Sequence, residues 1–348
     1  MSQSNGIPLE EWKALYDAAV AFRDLACWEW MYDSDIFGVQ NPENDEIGYC
    51  CIMGQLGEHY AMALYLGTEG LVGYLELMEL VSEYGPMPEM ILTQKCLMVT
   101  FGSRDEVTQE DRAIIKQLGL KFRGKNAWPV FRNYEPGYFP WYFAAPHVRF
   151  MTVALEQAMD VAQRFRENPD LLEAPSEGHY LVRVPEKKKG RLEWKDAYLA
   201  PRFPESAPLS FPPVDHLRIQ RIRQVVQQLE QAWEYDAFHL LEPVRDEKNE
   251  RPFFPIMLMC VDNQSGYIFS GDMLHPADFK DGLVEHFLNM VERLQFIPQV
   301  LLVRNELIFQ CLKPVCQGLG IQMELVEALE MLDEARDGMM DFLSGGDT

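Results

Sequence analysis

Apolar and polar positions along this chain change period often enough to define an element for each stretch. GYCCIMG (48–54) and HYAMALYLG (59–67) are apolar runs separated by QLGE, which predicts two strands joined by a turn. TEGLVGYLELMELV (68–81) follows with Leu71, Tyr74, Leu75 and Met78 at helical spacing behind Thr68, a residue suited to an N-cap. KCLMVTFG (95–102) is a short apolar strand. TQEDRAIIKQLG (108–119) opens as a capping box, with Asp111 in the place of the usual Glu, and closes on Gly119. LKF then leads through a break at RGKN into the extended run WPVFRNY (128–134), and APHVRFMTVALEQAMDVAQRF (145–165) is a longer helix.

The same order returns near the C-terminus. PIMLMCVDNQSGYIFSG (255–271) reads as a hairpin, and PADFKDGLVEHFLNMVERL (276–294) as an amphipathic helix with Leu283, Phe287, Met290 and Leu294 on one stripe. PQVLLVRN (298–305) is a buried-type strand. ELIFQCLKPVCQGLG (306–320) is a helix kinked or split at Pro314, IQMELVE (321–327) a strand, and ALEMLDEARDGMMDFL (328–343) the last helix. Each half therefore runs hairpin, helix, strand, helix, strand, helix. The expected class is α+β, with α/β as the variant, in two domains. Residues 1–205 form the first, with an extra hairpin near 178–200 that carries Lys187, Lys188, Lys189 and Gly190 at its tip. Residues 206–348 form the second, led by a helix over 214–233 that faces Ile222, Val225, Leu229 and Trp233 inward. The proline-rich PRFPESAPLSFPP (201–213) is the linker.

Composition supports a folded chain and narrows its partners. Of 348 residues, 47% are hydrophobic, enough to fill two cores. The formal charge of −23 opposes phosphate backbones and anionic lipid, so nucleic acid and membrane are disfavoured partners. No apolar run is long enough to span a bilayer, and the N-terminus lacks the basic-then-apolar order of a secretory signal. The odd number of cysteines, set mostly in apolar runs, points to free thiols in a reducing cytoplasm.

The adjacent Cys50 and Cys51 lie shortly before His59, but successive strand residues face opposite ways, so the pair cannot ligate one ion together. The order of the second half, with one strand short or missed, resembles that of a ribonuclease-H-like domain. Folds of that type hold divalent ions with carboxylates on the first strand, near the end of a later strand and on the last helix. The resemblance offers Asp262, Glu306, Asp333 and Asp337 as ligands for Mg or Mn, with Asn305 standing where a carboxylate would be wanted. The competing reading makes DNQSG an ordinary turn and Asp333 and Asp337 a solvated helix face. Asp33 and Asp35 could pair across an extended segment or simply be turn residues.

NYEPGYFPWYF (133–143) is the densest aromatic stretch, and Tyr138, Phe139, Trp141 and Tyr142 are its candidate binding patch. Arg218, Arg221 and Arg223 form the main basic cluster beside the hairpin lysines. No HExxH, GxSxG, GxGxxG or P-loop spacing occurs.

The run DSDIFGVQNPENDEIGYCCIMGQLGEHYAMALYLGTEGL (33–71) is similar to an uncharacterised bacterial family that carries domains of unknown function. PQVLLVRNELIFQCLKPVCQGLGIQMELVEALEMLDEA (298–335) resembles a second such domain found in the same proteins. The resemblance implies a cytosolic protein and no activity. The sequence reading is a cytoplasmic binding or protein-interaction module with no catalytic residue, metal or cofactor of its own, whose partner is another protein or a small ligand. The alternative is a divalent-metal nuclease or phosphodiesterase relative, active or decayed.

Overall fold

The computed structural model describes residues 6–57, 59–84, 88–203, 215–247 and 250–344. Most of the proline-rich stretch read as a linker, from 204 onward, lies outside them. The chain divides into unit 1, Met1–Ser206 with Glu247–Arg251, and unit 2, Ala207–Asp246 with Pro252–Thr348. Both are α+β.

Unit 1 begins with α1 (Leu9–Leu25), a helix the sequence reading did not assign. Trp12, Leu15, Tyr16, Ala19 and Phe22 recur at helical spacing and are all buried. Then follow β1 (Phe37–Gln40), β2 (Ile47–Met53), β3 (Ala61–Leu66), α2 (Gly67–Tyr84), β4 (Cys96–Gly102), α3 (Gln109–Gln117), β5 (Trp128–Tyr134) and α4 (Ala145–Glu167). The hairpin β6 (Tyr180–Lys188) and β7 (Arg191–Leu199) completes the unit. Among the described residues the strands form one sheet in the order β5-β4-β3-β2-β1-β6-β7. Only β1 and β6 pair in parallel; the hairpin thus extends the sheet rather than standing apart from it.

The two faces of this sheet have separate cores, and the adjacent cysteines divide between them. Cys50 packs with Ile52, Leu64 and residues of α1 and α4, whereas Cys51 packs with Tyr49, Tyr65 and Tyr74, the last on α2. All seven cysteines are buried and free.

Unit 2 runs α5 (His216–Val225), β8 (Gln227–His239), β9 (Ile256–Asp262), β10 (Ile268–Leu274), α6 (Phe279–Leu294), β11 (Phe296–Val303), α7 (Glu306–Leu319), β12 (Gln322–Leu325) and α8 (Glu330–Ser344). Here the structure corrects the helix expected over 214–233. It ends at Val225, and Gln227–His239 is a strand. Ile222 and Val225 have helical spacing, but from Trp233 onward large and polar residues alternate as W-E-Y-D, the period of a strand. The helix expected to kink or split at Pro314 runs as one element through it.

β8 is the strand the sequence reading lacked, and it completes a recognisable topology. The order is β10-β9-β8-β11-β12. The strands β8, β9 and β10 are antiparallel neighbours, while β11 joins β8 in parallel and β12 joins β11 in parallel. Three antiparallel strands followed by two parallel ones, each reached through a helix, give a ribonuclease-H-like arrangement. α5, α6 and α7 cover one face with Trp233, Tyr235, Phe287 and Leu312 in the core. Leu329 and Leu332, at the start of α8, pack on Met259 and Val261 of the other face. Among the described residues no helix is long and apolar enough to cross a membrane.

The carboxylate–arginine cluster of unit 2 as candidate site

In β8, Trp233 and Tyr235 fill the core under α6, so Glu234 and Asp236 point to the α8 side of the sheet. Both acids are buried, at 1% and 3% exposure. Buried carboxylates need partners, and each has its own. Glu234 accepts hydrogen bonds from Asn263 Nδ2 at 2.6 Å and from the Leu332 backbone N–H at 2.7 Å, which ties the central strand to the first turn of α8.

Asp236 is held by Arg304, the residue just after β11. Arg304 Nε donates to Asp236 Oδ2 at 2.6 Å, and Nη2 lies 2.6 Å from the same oxygen. The other edge of the guanidinium donates through Nη1 to both oxygens of Asp333 on α8, each at 2.8 Å. Arg336 reaches Asp333 from one helical turn on, at 3.2 Å. Arg304 therefore bridges a carboxylate of the first strand to a carboxylate of the last helix. Burial pushes the Asp236 carboxyl up, more strongly than the Ala237 N–H and the Arg304 guanidinium draw it down; the nearby Asp333 charge pushes the same way as burial. Its two carboxylate partners hold the Arg304 guanidinium above its ordinary range, against desolvation, which is the largest single influence.

This is the neighbourhood in which a ribonuclease-H-like fold gathers its divalent ions. The residues present do not fit such an ion. The end of β11 supplies a cation rather than a carboxylate, and its guanidinium occupies the facing oxygens of Asp236 and Asp333. Asn305, the position that lacked a carboxylate, caps α7 by accepting from the Leu307 and Ile308 N–H groups. Among the described residues no three His, Cys, Asp or Glu side chains gather as a metal site. An arginine neither polarises water as a Lewis acid nor exchanges protons near neutral pH.

The four carboxylates offered from sequence are divided. Asp333 belongs to the cluster. Asp262 closes β9 and turns back on its own loop, with Oδ2 accepting from Ser265 N at 3.0 Å and Ser265 Oγ at 2.6 Å; its buried Oδ1 has no hydrogen-bond partner. Glu306 accepts from Gln310 at 2.6 Å, and Asp337 pairs with Arg336 at 3.3 Å on the exposed side of α8. The two central residues, Asp236 and Arg304, were missed. Asp236 was hidden by the helical reading that ran to Trp233, and Arg304 was read only as the neighbour of a missing ligand. Alternation through W-E-Y-D-A-F was the signal for both the strand and the acid on it.

In unit 1 the aromatic stretch is tied down by arginines. Arg251 donates to the Phe139 carbonyl at 2.8 Å and lies over the Tyr138 ring, and Arg132 lies 4.8 Å from the Tyr142 centroid. The Tyr142 hydroxyl is within hydrogen-bond distance of Thr108 Oγ1 and Glu110. Trp141 pairs its backbone with Asn133 and sets its ring edge-on to Tyr142. Phe139 is the most exposed of the four, at 39%. Asp33 and Asp35 precede β1; Asp35 accepts from the Tyr32 N–H, and the Asp33 carbonyl accepts from Tyr74.

Residues 12–183 match the family described as "Domain of unknown function (DUF7309)", and residues 218–340 match "Domain of unknown function (DUF6930)". The resemblance to proteins carrying two such domains is thereby borne out. No curated protein matches the chain by sequence. Among solved structures, the magnesium-bound catalytic core domain of the HTLV-2 integrase is 16% identical, over 34% of this chain and 73% of that one, with a TM-score of 0.26. A simian T-cell lymphotropic virus intasome in complex with the PP2A regulatory subunit B56 gamma is 15% identical, over 35% of this chain and 45% of that one, also at 0.26.

Proposed function

We propose that this chain, assembled from two domains of unknown function, is a binding module whose ribonuclease-H-like unit serves as a scaffold and not as a metal-dependent nuclease. One observation carries the reading: the Arg304 guanidinium spans Asp236 and Asp333, with hydrogen bonds of 2.6 and 2.8 Å. A fixed positive charge on the chain replaces the mobile divalent ion, so the folded unit is complete without a cofactor. The pair Asp236–Arg304 then joins strand to strand, and Arg304–Asp333 joins strand to helix. We infer a cytosolic setting and a protein or small-molecule partner; the large negative charge continues to argue against long nucleic acid and membrane surfaces.

The competing reading is a divalent-metal nuclease or phosphodiesterase. The two are separated by incubating the full chain with single- and double-stranded DNA and RNA in magnesium or manganese. The scaffold reading expects no ion-dependent cleavage. Cleavage that requires manganese and disappears in Asp236→Asn would overturn it.

A further inference from the structure

Many arginines of this chain are neutralised by carboxylates. Arg132 pairs with Asp111, Arg149 with Glu11 and Glu43, Arg183 with Asp160 and Asp196, and Arg218 with Glu285 and Glu292. One place in unit 1 breaks that habit. A cavity of about 700 Å³ is bordered by Arg104, Arg112, Lys116, Lys121 and Arg123. Among the described residues none of these five makes an ion pair; Arg112 donates only to the Arg104 carbonyl, at 3.1 Å.

The cations are brought together by how α3 ends. Gly119 takes a left-handed φ of 67°, and its N–H and that of Leu120 return to the Lys116 and Ile115 carbonyls. The chain then leaves the helix as the loop Leu120–Gly124. Lys121 and Arg123 on that loop face the same cavity as Arg112 and Lys116 on the helix. Behind the loop lies a second cavity of about 630 Å³ that also touches Asp17 and Asp24. Those acids are already taken, by Lys13 and Arg23.

Gathering five like charges around one cavity costs free energy that an anion recovers. The walls are not only basic. Phe122 and Trp128, half-buried and edge-to-face with centroids 5.6 Å apart, line it with Ile115 and Leu120. The volume lies in the range of small-molecule sites, and a chain of charge −23 is poorly suited to a long polyanion. We propose that this cavity binds a nucleoside triphosphate, the phosphate chain held by Arg112, Lys116 and Arg123 and the planar base set against Phe122 and Trp128.

The test is calorimetric titration of the full chain with ATP, inorganic tripolyphosphate, adenosine and a short single-stranded RNA. ATP should bind most tightly, tripolyphosphate more weakly, adenosine weakest, and raised salt should weaken the phosphate ligands. Arg112→Glu combined with Arg123→Glu should reduce ATP affinity by at least ~10-fold, since charge-assisted contacts are lost and reversed. Both residues are exposed, so circular dichroism should be unchanged. Trp128→Ala should weaken ATP but leave tripolyphosphate unaffected. Several results would overturn the proposal: no ATP binding, equal affinity for ATP and tripolyphosphate, tighter binding of the RNA than of ATP, or ATP affinity untouched by the double charge reversal. The charge-retaining variant, Arg112→Lys with Arg123→Lys, should keep most of the affinity.

Discussion

Asp236 is buried, and Arg304 stands against it as its charge partner. Deleting one partner of a buried pair is costly because the other is left uncompensated. Arg304→Leu should therefore lower stability by about 3–5 kcal/mol in urea unfolding, and adding Asp236→Leu should restore a good part of the loss; a single-variant cost under about 1 kcal/mol would contradict the bridge. His286 offers a second test. Its Nδ1 lies 2.7 Å from the Tyr235 hydroxyl, and its Nε2 is 3.3 Å from an Asp272 oxygen without hydrogen-bond geometry. Burial lowers its pKa from the ordinary 6.5, the Asp272 charge opposes this, and Arg293 adds to it. A histidine with a lowered folded pKa makes the unfolded state the better proton binder, so stability is present above pH 6.5 and is lost as pH falls below it. His239, lowered by burial, works in the same direction. Melting of the chain between pH 7 and 5 should show this acid-side loss, and His286→Phe should flatten it; an unchanged slope would mean that His286 is not buried in neutral form.

At the scale of elements, caps and periods decide what holds. Asn305 satisfies two N–H groups at the start of α7, and Asn305→Ala should cost about 1 kcal/mol by chemical denaturation; Asn305→Asp, which keeps the acceptor, should not. Much of the element order was legible from local pattern. The hairpins, the Thr108–Asp111 capping box and the alternation of helices with later strands all rest on residues close in sequence, and the box is present as read. Two elements were not read. α1 carries a clear stripe from Trp12 to Phe22 that was passed over. β8 was masked because Leu229 and Trp233 continue the helical spacing of Ile222 and Val225, while the strand's evidence lies further on, in Trp233 to Asp236. Losing β8 also lost the site, since Asp236 and Arg304 meet only through the pairing of β8 with β11, which is long-range and invisible to periodicity. The shared order of the halves likewise conceals different sheets, antiparallel throughout β2–β5 but parallel at β8, β11 and β12.

For the whole molecule, charge is the governing quantity. A net −23 sets acidic surface against itself, so moderate salt should raise the melting temperature by screening that repulsion, even as it weakens ligands at the basic cavity. Against this background a divalent ion should be attracted wherever carboxylates are free to take it, so the Asp236–Arg304–Asp333 cluster, whose facing carboxylate oxygens Arg304 takes, is the place to test the proposed reading. Thermal unfolding of the wild-type chain and of Asp236→Asn across a manganese titration tests that most directly. The account predicts that manganese moves the two melting temperatures in parallel, by a small non-saturating amount common to both. A saturable rise in the wild type that is absent in Asp236→Asn would contradict it, because the ion would then hold the place assigned to Arg304.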